Sequence, residues 1–205
     1  MKRLAAATAG ESIPLPPGAT DGRVSLEQAV ARRRSCRRFA PDPLTVEQLA
    51  QLLWAAQGVT AAPNLRAAPS AGACYPLEVY IACEHGVFRY HPREHALAKT
   101  AAGDRRSRLA QAALGQAFVA AAPVTLVFAA VYDRTTRRYG ERGQRYVHLD
   151  AGCAAENAHL QAEALDLGSV AVGAFNDDAV AEVLELPEGE HPLYLIPVGR
   201  RAGGT

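Results

Sequence analysis

Apolar and polar residues follow two periods along the chain, and each period predicts one class of secondary structure. Residues 45–58 open with a Thr-Val-Glu-Gln capping box, continue with leucines and alanines at helical spacing and close on a glycine, so they predict a helix. The alternation over Leu77–Cys83 and Val87–His91, with a turn between them, predicts a β-hairpin. The uninterrupted apolar run at Pro123–Val131 predicts a buried central strand.

Helical and polar segments occupy much of the remaining sequence. A second capping-box pattern predicts a helix over Ser25–Arg34, and helical signal covers Arg105–Ala121. The polar, arginine-rich segment Tyr132–Gly143 predicts a loop at the surface or along a cleft. Gln144–Leu167 predicts a long helix ended by Gly168. Small residues along this helix allow another helix to pack closely, either within the core or across a dimer.

The C-terminal part predicts two strands, Ser169–Phe175 and Leu193–Val198, around a short helix that Asp177 or Asp178 caps. Residues 1–23 are rich in proline and glycine and predict an extended arm. Helices come first and strands are interspersed, so residues 24–205 predict a single α+β domain rather than a repeated βαβ fold.

Composition excludes several classes of partner. The chain has 205 residues, 49% of them hydrophobic, and a net charge of +1 from 22 basic and 21 acidic residues. This balance gives no bulk field for nucleic acid or a membrane surface. No apolar run approaches the roughly 18–20 residues that span a bilayer, and the apolar part of the N-terminus is too short for a signal peptide. We expect a cytoplasmic protein.

Metal and dinucleotide signatures are missing from the sequence. The four cysteines show no C-x-x-C spacing, so reduced packing thiols are expected. His91 and His95 are separated by Pro92, which prevents a helix from presenting both on one face. No G-x-G-x-x-G follows a strand. We therefore expect neither a metal site nor a Rossmann cofactor site.

Two unusual stretches carry the candidate chemistry. Arg33-Arg34-Ser35-Cys36-Arg37-Arg38-Phe39 combines four guanidinium groups with a hydroxyl, a set that suits a dianionic phosphate. Ala68–Pro76 is a small-residue loop whose backbone amides allow close approach of a planar ligand. Together they predict a flat, phosphorylated cofactor. The alternative is that the first arginines lie in the last turn of a helix and only complement its dipole.

The motifs, taken in order, resemble those of the nitroreductase-like flavoproteins, and within them the SagB-type dehydrogenase branch. The resemblance covers roughly residues 26–200. It rests on the following segments: Arg33-Arg34-Ser35-x-Arg37-x-Phe39, Leu52–Gly58, Ala68–Ala73, Gly152–Asn157, Ala171–Phe175 and Pro197–Arg200. It implies an α+β fold with a central mixed or antiparallel sheet flanked by helices. It also implies an obligate, domain-swapped-style homodimer that binds FMN at its interface.

The resemblance also implies roles for individual residues. The FMN phosphate would be held by Arg33 and Ser35, by the backbone of Arg34 and by Arg200. Arg37 would stabilise negative charge at the pyrimidine edge of the ring. The ring or ribityl chain would be lined from the other subunit by Pro69, Ser70, Gly72 and Ala73, and Val172 and Gly173 would pass their backbone near N5.

Three departures from the family pattern bear on function. Ala73 stands where many nitroreductases have asparagine, and Glu156 stands where glutamine is common, so a buried Glu156 would need a partner such as an arginine. Arg138-Tyr139 is our placement of the Lys-Tyr pair of azoline oxidases. Because arginine keeps its proton, Arg138 cannot act as a general base, which weakens the azoline-oxidase interpretation.

The resemblance implies an FMN-dependent oxidoreductase that passes hydride from NAD(P)H through flavin N5 to a nitro-aromatic, quinone or other conjugated acceptor. The candidate catalytic residues are Arg37, Arg138 and Tyr139. We expect Arg138, Tyr139, Arg142 and Arg145 to form a cationic rim, the alternative being a solvated loop whose arginines pair with Glu141 and Asp150. Alternative functions are an azoline dehydrogenase of a peptide natural-product pathway and a flavin-binding structural subunit of a maturation complex.

Overall fold

A seven-stranded antiparallel sheet forms the centre of the molecule. The computed structural model describes residues 2–203. The strand order is β1-β6-β5-β4-β7-β9-β8, and a separate hairpin pairs β2 with β3. The strands are β1 (Ser12–Pro14), β2 (Val59–Ala61), β3 (Leu65–Arg66), β4 (Leu77–Cys83), β5 (Gly86–His91), β6 (Ala96–Ala102), β7 (Val124–Ala130), β8 (Gly168–Ser169) and β9 (His191–Gly199). The α+β fold with helices around a mostly antiparallel sheet is confirmed.

Helices cover both faces of this sheet. They are α1 (Lys2–Ala6), α2 (Leu26–Arg32), α3 (Val46–Gln57), α4 (Arg106–Ala112), α5 (Ala117–Ala121), α6 (Asp133–Tyr139), α7 (Arg142–Ala164) and α8 (Asp177–Leu184). One apolar layer joins α3 and α7 to the sheet, and a second joins α4 and α8 to the opposite face. Strands β4 and β7 are buried along their whole length, as expected of strands covered on both faces. Within residues 2–203, no helix has the length and apolarity that a membrane crossing requires.

The predicted loop at Tyr132–Gly143 is wrong, because most of it is the helix α6. Its polar sequence concealed the helix: among its residues, only Thr135 is buried. The helix gains support from the exposed pair Arg137–Asp133 at 3.6 Å and from the Thr136 hydroxyl, which donates to the Tyr132 carbonyl at 3.2 Å. A short helix that buries a single side chain has no apolar stripe for a sequence pattern to reveal.

Several predicted boundaries are also corrected. The strand predicted over Ser169–Phe175 shrinks to β8, with one further bridge between Val172 and Leu195. The short helix α8 is capped by Asn176, whose side chain accepts from the Ala179 amide, and not by either aspartate. Gly168 begins β8 instead of ending α7, and the helical signal at 105–121 divides into α4 and α5.

The N-terminal segment is not extended throughout, since α1 precedes β1. Strand β1 pairs with β6 at the edge of the sheet, and Leu4 and Ile13 are buried in the layer beneath α3 and α7. Strand β6 itself had not been predicted. The division of the chain at residue 23 stays a prediction.

The small residues of α7 face the core of the chain. Ala151, Ala154, Ala155 and Ala158 are buried, and they allow α7 to lie against α3 and the sheet. The long helix α7 therefore belongs to the same apolar layer as α3. Its polar residues, spread along its length, contact three separate groups of loop residues.

Candidate functional site

The helix α7 contacts the predicted site segments at successive points along its length. His148 and Asp150 lie in its N-terminal half, whereas Glu156, His159 and Glu163 follow toward its C-terminal end. At a rise of about 1.5 Å per residue, Asp150 and Glu156 are about 9 Å apart along the axis. Asp150 and Glu156 contact the two segments that the sequence had marked as functional, the small-residue loop and the arginine-rich stretch.

The arginine-rich stretch runs beside the C-terminal end of the sheet. Ser35 forms a parallel bridge with Ser169, the Cys36 amide donates to the Ser169 carbonyl at 2.9 Å, and Phe39 bridges Arg201. These backbone contacts hold the stretch between β8 and the segment after β9. A cavity of about 390 Å³ opens there, lined by Arg34, Ser35, Cys36, Arg37, Arg38, Arg201, Ala202 and Gly203.

Four of the lining residues are arginines and one carries a hydroxyl, so the cavity has the donor set of an anion site. Arg34 turns part of its guanidinium back onto the carbonyls of Ala31 and Arg33. The Arg37 guanidinium lies 5.8 Å from the centre of the Phe118 ring. Arg201, which the sequence analysis did not select, is held by Glu163.

Arg33 and Arg200 lie outside the lining of this cavity. Arg33 faces Glu156 at 3.8 Å, so an arginine does partner this glutamate, but Glu156 is more than half exposed rather than buried. Arg200 is exposed, and its carbonyl accepts from the Ala40 amide at 2.8 Å. The role of both arginines in phosphate binding stays a prediction.

A buried imidazole supports the arginine stretch from below. His159 Nδ1 lies 2.7 Å from the Ser169 hydroxyl, in the segment that pairs with Ser35. Burial and, to a smaller extent, the nearby positive charge of Arg33 together lower the pKa of His159 to about 4. The ring is therefore neutral at pH 7, and it adds no charge to the arginine cluster.

The small-residue loop has a strained backbone. Gly72, Ala73 and Tyr75 all have positive φ angles, of 59°, 53° and 47°. A left-handed conformation costs a non-glycine residue roughly 1–2 kcal/mol. There is also no room for a side chain at Gly72, because a Cβ there would lie 2.5 Å from the Tyr139 hydroxyl. Such a loop persists only when its surroundings fix it.

Asp150 supplies much of that fixation. One carboxylate oxygen accepts from the Ser70 hydroxyl at 2.6 Å, and the other accepts from the Ala71 amide at 3.3 Å. The Ser70 oxygen in turn accepts from the Tyr75 amide at 2.9 Å, which closes the loop on itself. Asp150 is only 7% exposed, and its burial raises the pKa of its carboxyl above the ordinary value.

Helix α6 covers the same loop from its other side. Arg138 donates to the Gly72 carbonyl at 3.1 Å, and Tyr139 stacks edge-on against Tyr146 with ring centres 5.1 Å apart. The alternative in which the arginines of this segment pair with Asp150 is wrong, since that carboxylate is bound to Ser70 and Ala71. The predicted residues Arg138 and Tyr139 are therefore brought together with Gly72.

A third group surrounds Gly173. A cavity of about 390 Å³ is lined by Tyr132, His148, Ala151, Gly173, Phe175, Asp177, Pro192, Leu193 and Tyr194. The Tyr132 hydroxyl lies 2.7 Å from His148 Nε2. Val172, beside Gly173, is buried through its bridge to Leu195. No local sequence pattern marks Tyr132 or His148, because their 16-residue separation becomes a contact only when α6 turns the chain back onto α7.

A larger cavity, of about 680 Å³, contains none of the predicted site residues. It lies between residues 16–24 of the N-terminal segment, α3 and the end of α7. The candidate site consists instead of the arginine cavity, the loop held by Asp150 and the cavity at Gly173.

The fold, the cationic cavity and the glycine-bearing loop together define an oxidoreductase of the nitroreductase type. The model of the Nitroreductase family matches residues 30–200. The chain belongs to this family.

Similar proteins agree with that assignment. A candidate nitroreductase of Methanocaldococcus jannaschii is 45% identical over 184 residues, which cover 87% of this chain and 92% of that protein. The crystal structure of a candidate nitroreductase from Ralstonia eutropha is 36% identical, with a TM-score of 0.86 over 97% of this chain and 93% of that one. The NADPH-flavin oxidoreductase of Vibrio harveyi is 25% identical over 84% of this chain, which spans 64% of its length.

Proposed function

We propose that this protein is an FMN-dependent oxidoreductase that takes hydride from NAD(P)H and reduces a nitro-aromatic, quinone or other conjugated acceptor. The observation that carries the proposal is the cavity in which Ser35 and four arginines converge. A phosphate group needs paired donors and fixed positive charge, and arginine supplies both at any physiological pH.

The residues of the chain suit both ends of FMN, its phosphate and its planar ring. The donors of the arginine cavity match a phosphate, whereas Gly173 has no side chain that would keep a planar ring away from its backbone. FMN, when bound, supplies the hydride-transfer chemistry. In this assignment Ser35 and Arg37 bind and orient it, and Arg37 compensates negative charge at its pyrimidine edge.

The nicotinamide donor is inferred from relatives and from charge. The Vibrio harveyi relative is an NADPH-flavin oxidoreductase, and a Bacillus subtilis relative, 25% identical, is an FMN reductase that uses NAD(P)H. Arg138, Arg142 and Arg145 on α6 and α7 are exposed and offer a positive rim to the phosphates of a dinucleotide. Tyr139 lies in the same rim, next to the loop at Gly72.

We also propose a homodimer with an FMN at each side of its interface. Large apolar side chains are exposed on two helices that pack together: Leu26 and Val30 on α2 are 65% and 57% exposed, and Leu149 on α7 is 60% exposed. Light scattering should give twice the mass of one chain. Leu26→Asp combined with Val30→Asp should shift the mass toward one chain, whereas the control Leu114→Asp, at a residue 68% exposed elsewhere, should not.

The SagB-type azoline dehydrogenase and the structural subunit remain alternatives that no observation favours. Arg138, our placement of the Lys-Tyr pair, is engaged with the Gly72 carbonyl and cannot accept a proton. Steady oxidation of NAD(P)H by the purified protein with a quinone acceptor would support the leading function. Bound FMN without such turnover would favour the alternatives.

The decisive experiment compares FMN with riboflavin, which lacks the phosphate. Fluorescence titration of the apoprotein should show tighter binding of FMN. Ser35→Ala and Arg33→Ala should each weaken FMN binding about 10- to 100-fold, because a hydrogen bond to a charged group contributes about 1.5–3 kcal/mol. Riboflavin binding should change little. Arg108→Ala, whose arginine pairs with exposed Glu182, is the matched control.

Absence of any flavin binding would refute the proposed function. Equal loss of FMN and riboflavin binding in the Ser35 and Arg33 variants would show that these two side chains support the fold and do not bind the phosphate.

A further inference from the structure

We propose that the cavity at Gly173 is the acceptor subsite, built for a neutral, planar carbonyl or nitro compound, and that Tyr132 and His148 donate the hydrogen bond and proton to its oxygen. The inference rests on the proposed function, because it places the acceptor beside the backbone expected to face flavin N5. It concerns residues that neither the family pattern nor the sequence analysis selected.

The size and lining of the cavity favour an aromatic ligand. Its volume of about 390 Å³ is within the range of small-molecule sites, roughly 300–1,000 Å³. The rings of Tyr132, Phe175 and Tyr194 contribute to the wall, with Pro192 and Leu193 beside them. Aromatic and aliphatic walls with few polar groups are typical of pockets that bind conjugated molecules.

Two of the polar side chains that line this cavity, Tyr132 and His148, contact each other. Tyr132 and His148 meet edge-to-face, with ring centres 5.7 Å apart and the hydroxyl 2.7 Å from Nε2. Burial, together with the negative charge of Asp177, raises the pKa of the Tyr132 phenol, so the hydroxyl stays protonated at neutral pH. Within residues 2–203, the second ring nitrogen of His148 has no hydrogen-bond partner.

A second pair in the same chain shows what a structural Tyr–His contact looks like. Tyr90 and His95 have the same geometry, with ring centres 5.7 Å apart and a 2.7 Å hydrogen bond. There, however, the other imidazole nitrogen contacts the Pro16 carbonyl at 2.7 Å, and Tyr90 is fully buried. The Tyr132–His148 pair lines a cavity and keeps one nitrogen available, which a purely structural pair does not require.

Charge around the pair selects against anionic acceptors. Asp177 lines the cavity, and His191 lies next to Tyr132 with ring centres 5.5 Å apart. The ionisable groups that face the pair are therefore Asp177, His191 and Tyr194. With one carboxylate and no arginine or lysine in the wall, the cavity favours a neutral quinone or nitroarene over its carboxylated analogue.

The proposed reduction balances with the co-reactants already named. NAD(P)H gives up one hydride equivalent and becomes NAD(P)⁺, while the quinone takes up that hydride and one proton to become a hydroquinone. The proton comes from the hydroxyl–imidazole pair, and water restores it. Tyr132 and His148 are thus catalytic residues for the acceptor half of the reaction.

The test uses the purified holoprotein with p-benzoquinone, its carboxylated analogue and ferricyanide. Ferricyanide accepts electrons without a proton, so its reduction reports on flavin and NAD(P)H alone. Tyr132→Phe and His148→Gln should weaken equilibrium binding of p-benzoquinone to the oxidised holoprotein about 3- to 10-fold, as one lost hydrogen bond predicts. They should also lower kcat/KM for the quinone at least about tenfold, with ferricyanide reduction unchanged.

Tyr90→Phe is the matched control and should lower thermal stability without changing quinone binding. Asp177→Asn should make the preference for p-benzoquinone over its carboxylated analogue smaller. Unchanged quinone binding and turnover in both pair variants would overturn the subsite. A wild-type protein that binds no FMN, or that fails to reduce ferricyanide, would instead refute the proposed function on which the subsite rests.

Discussion

Replacing Asp150 should loosen the loop that contains Ser70 and Gly72. In Asp150→Ala the Ser70 hydroxyl loses its acceptor at 2.6 Å and the Ala71 amide loses its acceptor at 3.3 Å. The loop would then keep its positive φ angles at Gly72, Ala73 and Tyr75 with only its internal hydrogen bonds and the contacts from α6 to hold them.

The size of the effect follows from these contacts. A hydrogen bond to a charged group contributes about 1.5–3 kcal/mol, but burial of the carboxylate offsets part of this. We therefore expect Asp150→Ala to lower the free energy of unfolding by about 2–4 kcal/mol. For a chain of 205 residues, this corresponds to a drop in Tm of roughly 5–15 °C.

The substitution Asp150→Asn distinguishes the shape of the side chain from its charge. The asparagine carbonyl oxygen can still accept from the Ser70 hydroxyl, but its NH2 group would face the Ala71 amide, which is also a donor. We therefore expect a smaller loss of unfolding free energy, about 1–2 kcal/mol. The pKa of Asp150 is higher in the folded than in the unfolded state. The contribution of this shift to the free energy of unfolding is therefore complete below the unfolded pKa of about 3.9 and declines as pH rises through the folded pKa. The cost of Asp150→Asn should therefore be larger at pH 4 than at pH 7.

Urea denaturation of the apoprotein at both pH values measures these differences, and FMN titration measures the state of the loop. Both Asp150 variants should bind FMN more weakly than wild type. Asp133→Ala is the control, since its exposed pair with Arg137 contributes less than about 0.5 kcal/mol. If Asp150→Ala matched that control in both stability and FMN affinity, the proposed role of the carboxylate would be refuted.

Three further predictions concern the same helix and loop. Glu156→Gln should strengthen FMN binding up to about fivefold in a fluorescence titration, because an exposed pair worth about 0–1 kcal/mol no longer holds Arg33; weaker binding would argue against this competition. His159 has a folded pKa of about 4 against about 6.5 unfolded, so its protonation alone should cost the wild type about 3 kcal/mol of unfolding free energy between pH 7 and pH 4. His159→Gln should remove that loss in urea denaturation, and an unchanged pH slope would contradict the assignment. Gly72→Ala should lower Tm and FMN affinity together, since its Cβ would lie 2.5 Å from the Tyr139 hydroxyl. Unchanged Tm and unchanged FMN affinity would show that the loop rearranges to accept the methyl group.

Local patterns in the sequence determined much of the framework. The capping box at Thr45 and Gln48 and the apolar spacing between them and Gly58 defined α3. The apolar runs of β4 and β7 marked the buried strands. These features could be predicted because caps, turns and burial periods depend on residues close together in the chain. The arginine stretch and the small-residue loop were visible for the same reason.

Tertiary structure alone decided how these pieces form a site. The contacts of Asp150 with Ser70, of His159 with Ser169 and of Tyr132 with His148 join residues that have no common local pattern. Helix α6 escaped prediction because its polar sequence lacks an apolar stripe and its stability comes from packing. The sequence by itself determined which segments could bind a flat, phosphorylated cofactor. Only the fold decided which side chains of α7 hold those segments, because such contacts depend on distances in space and not along the chain.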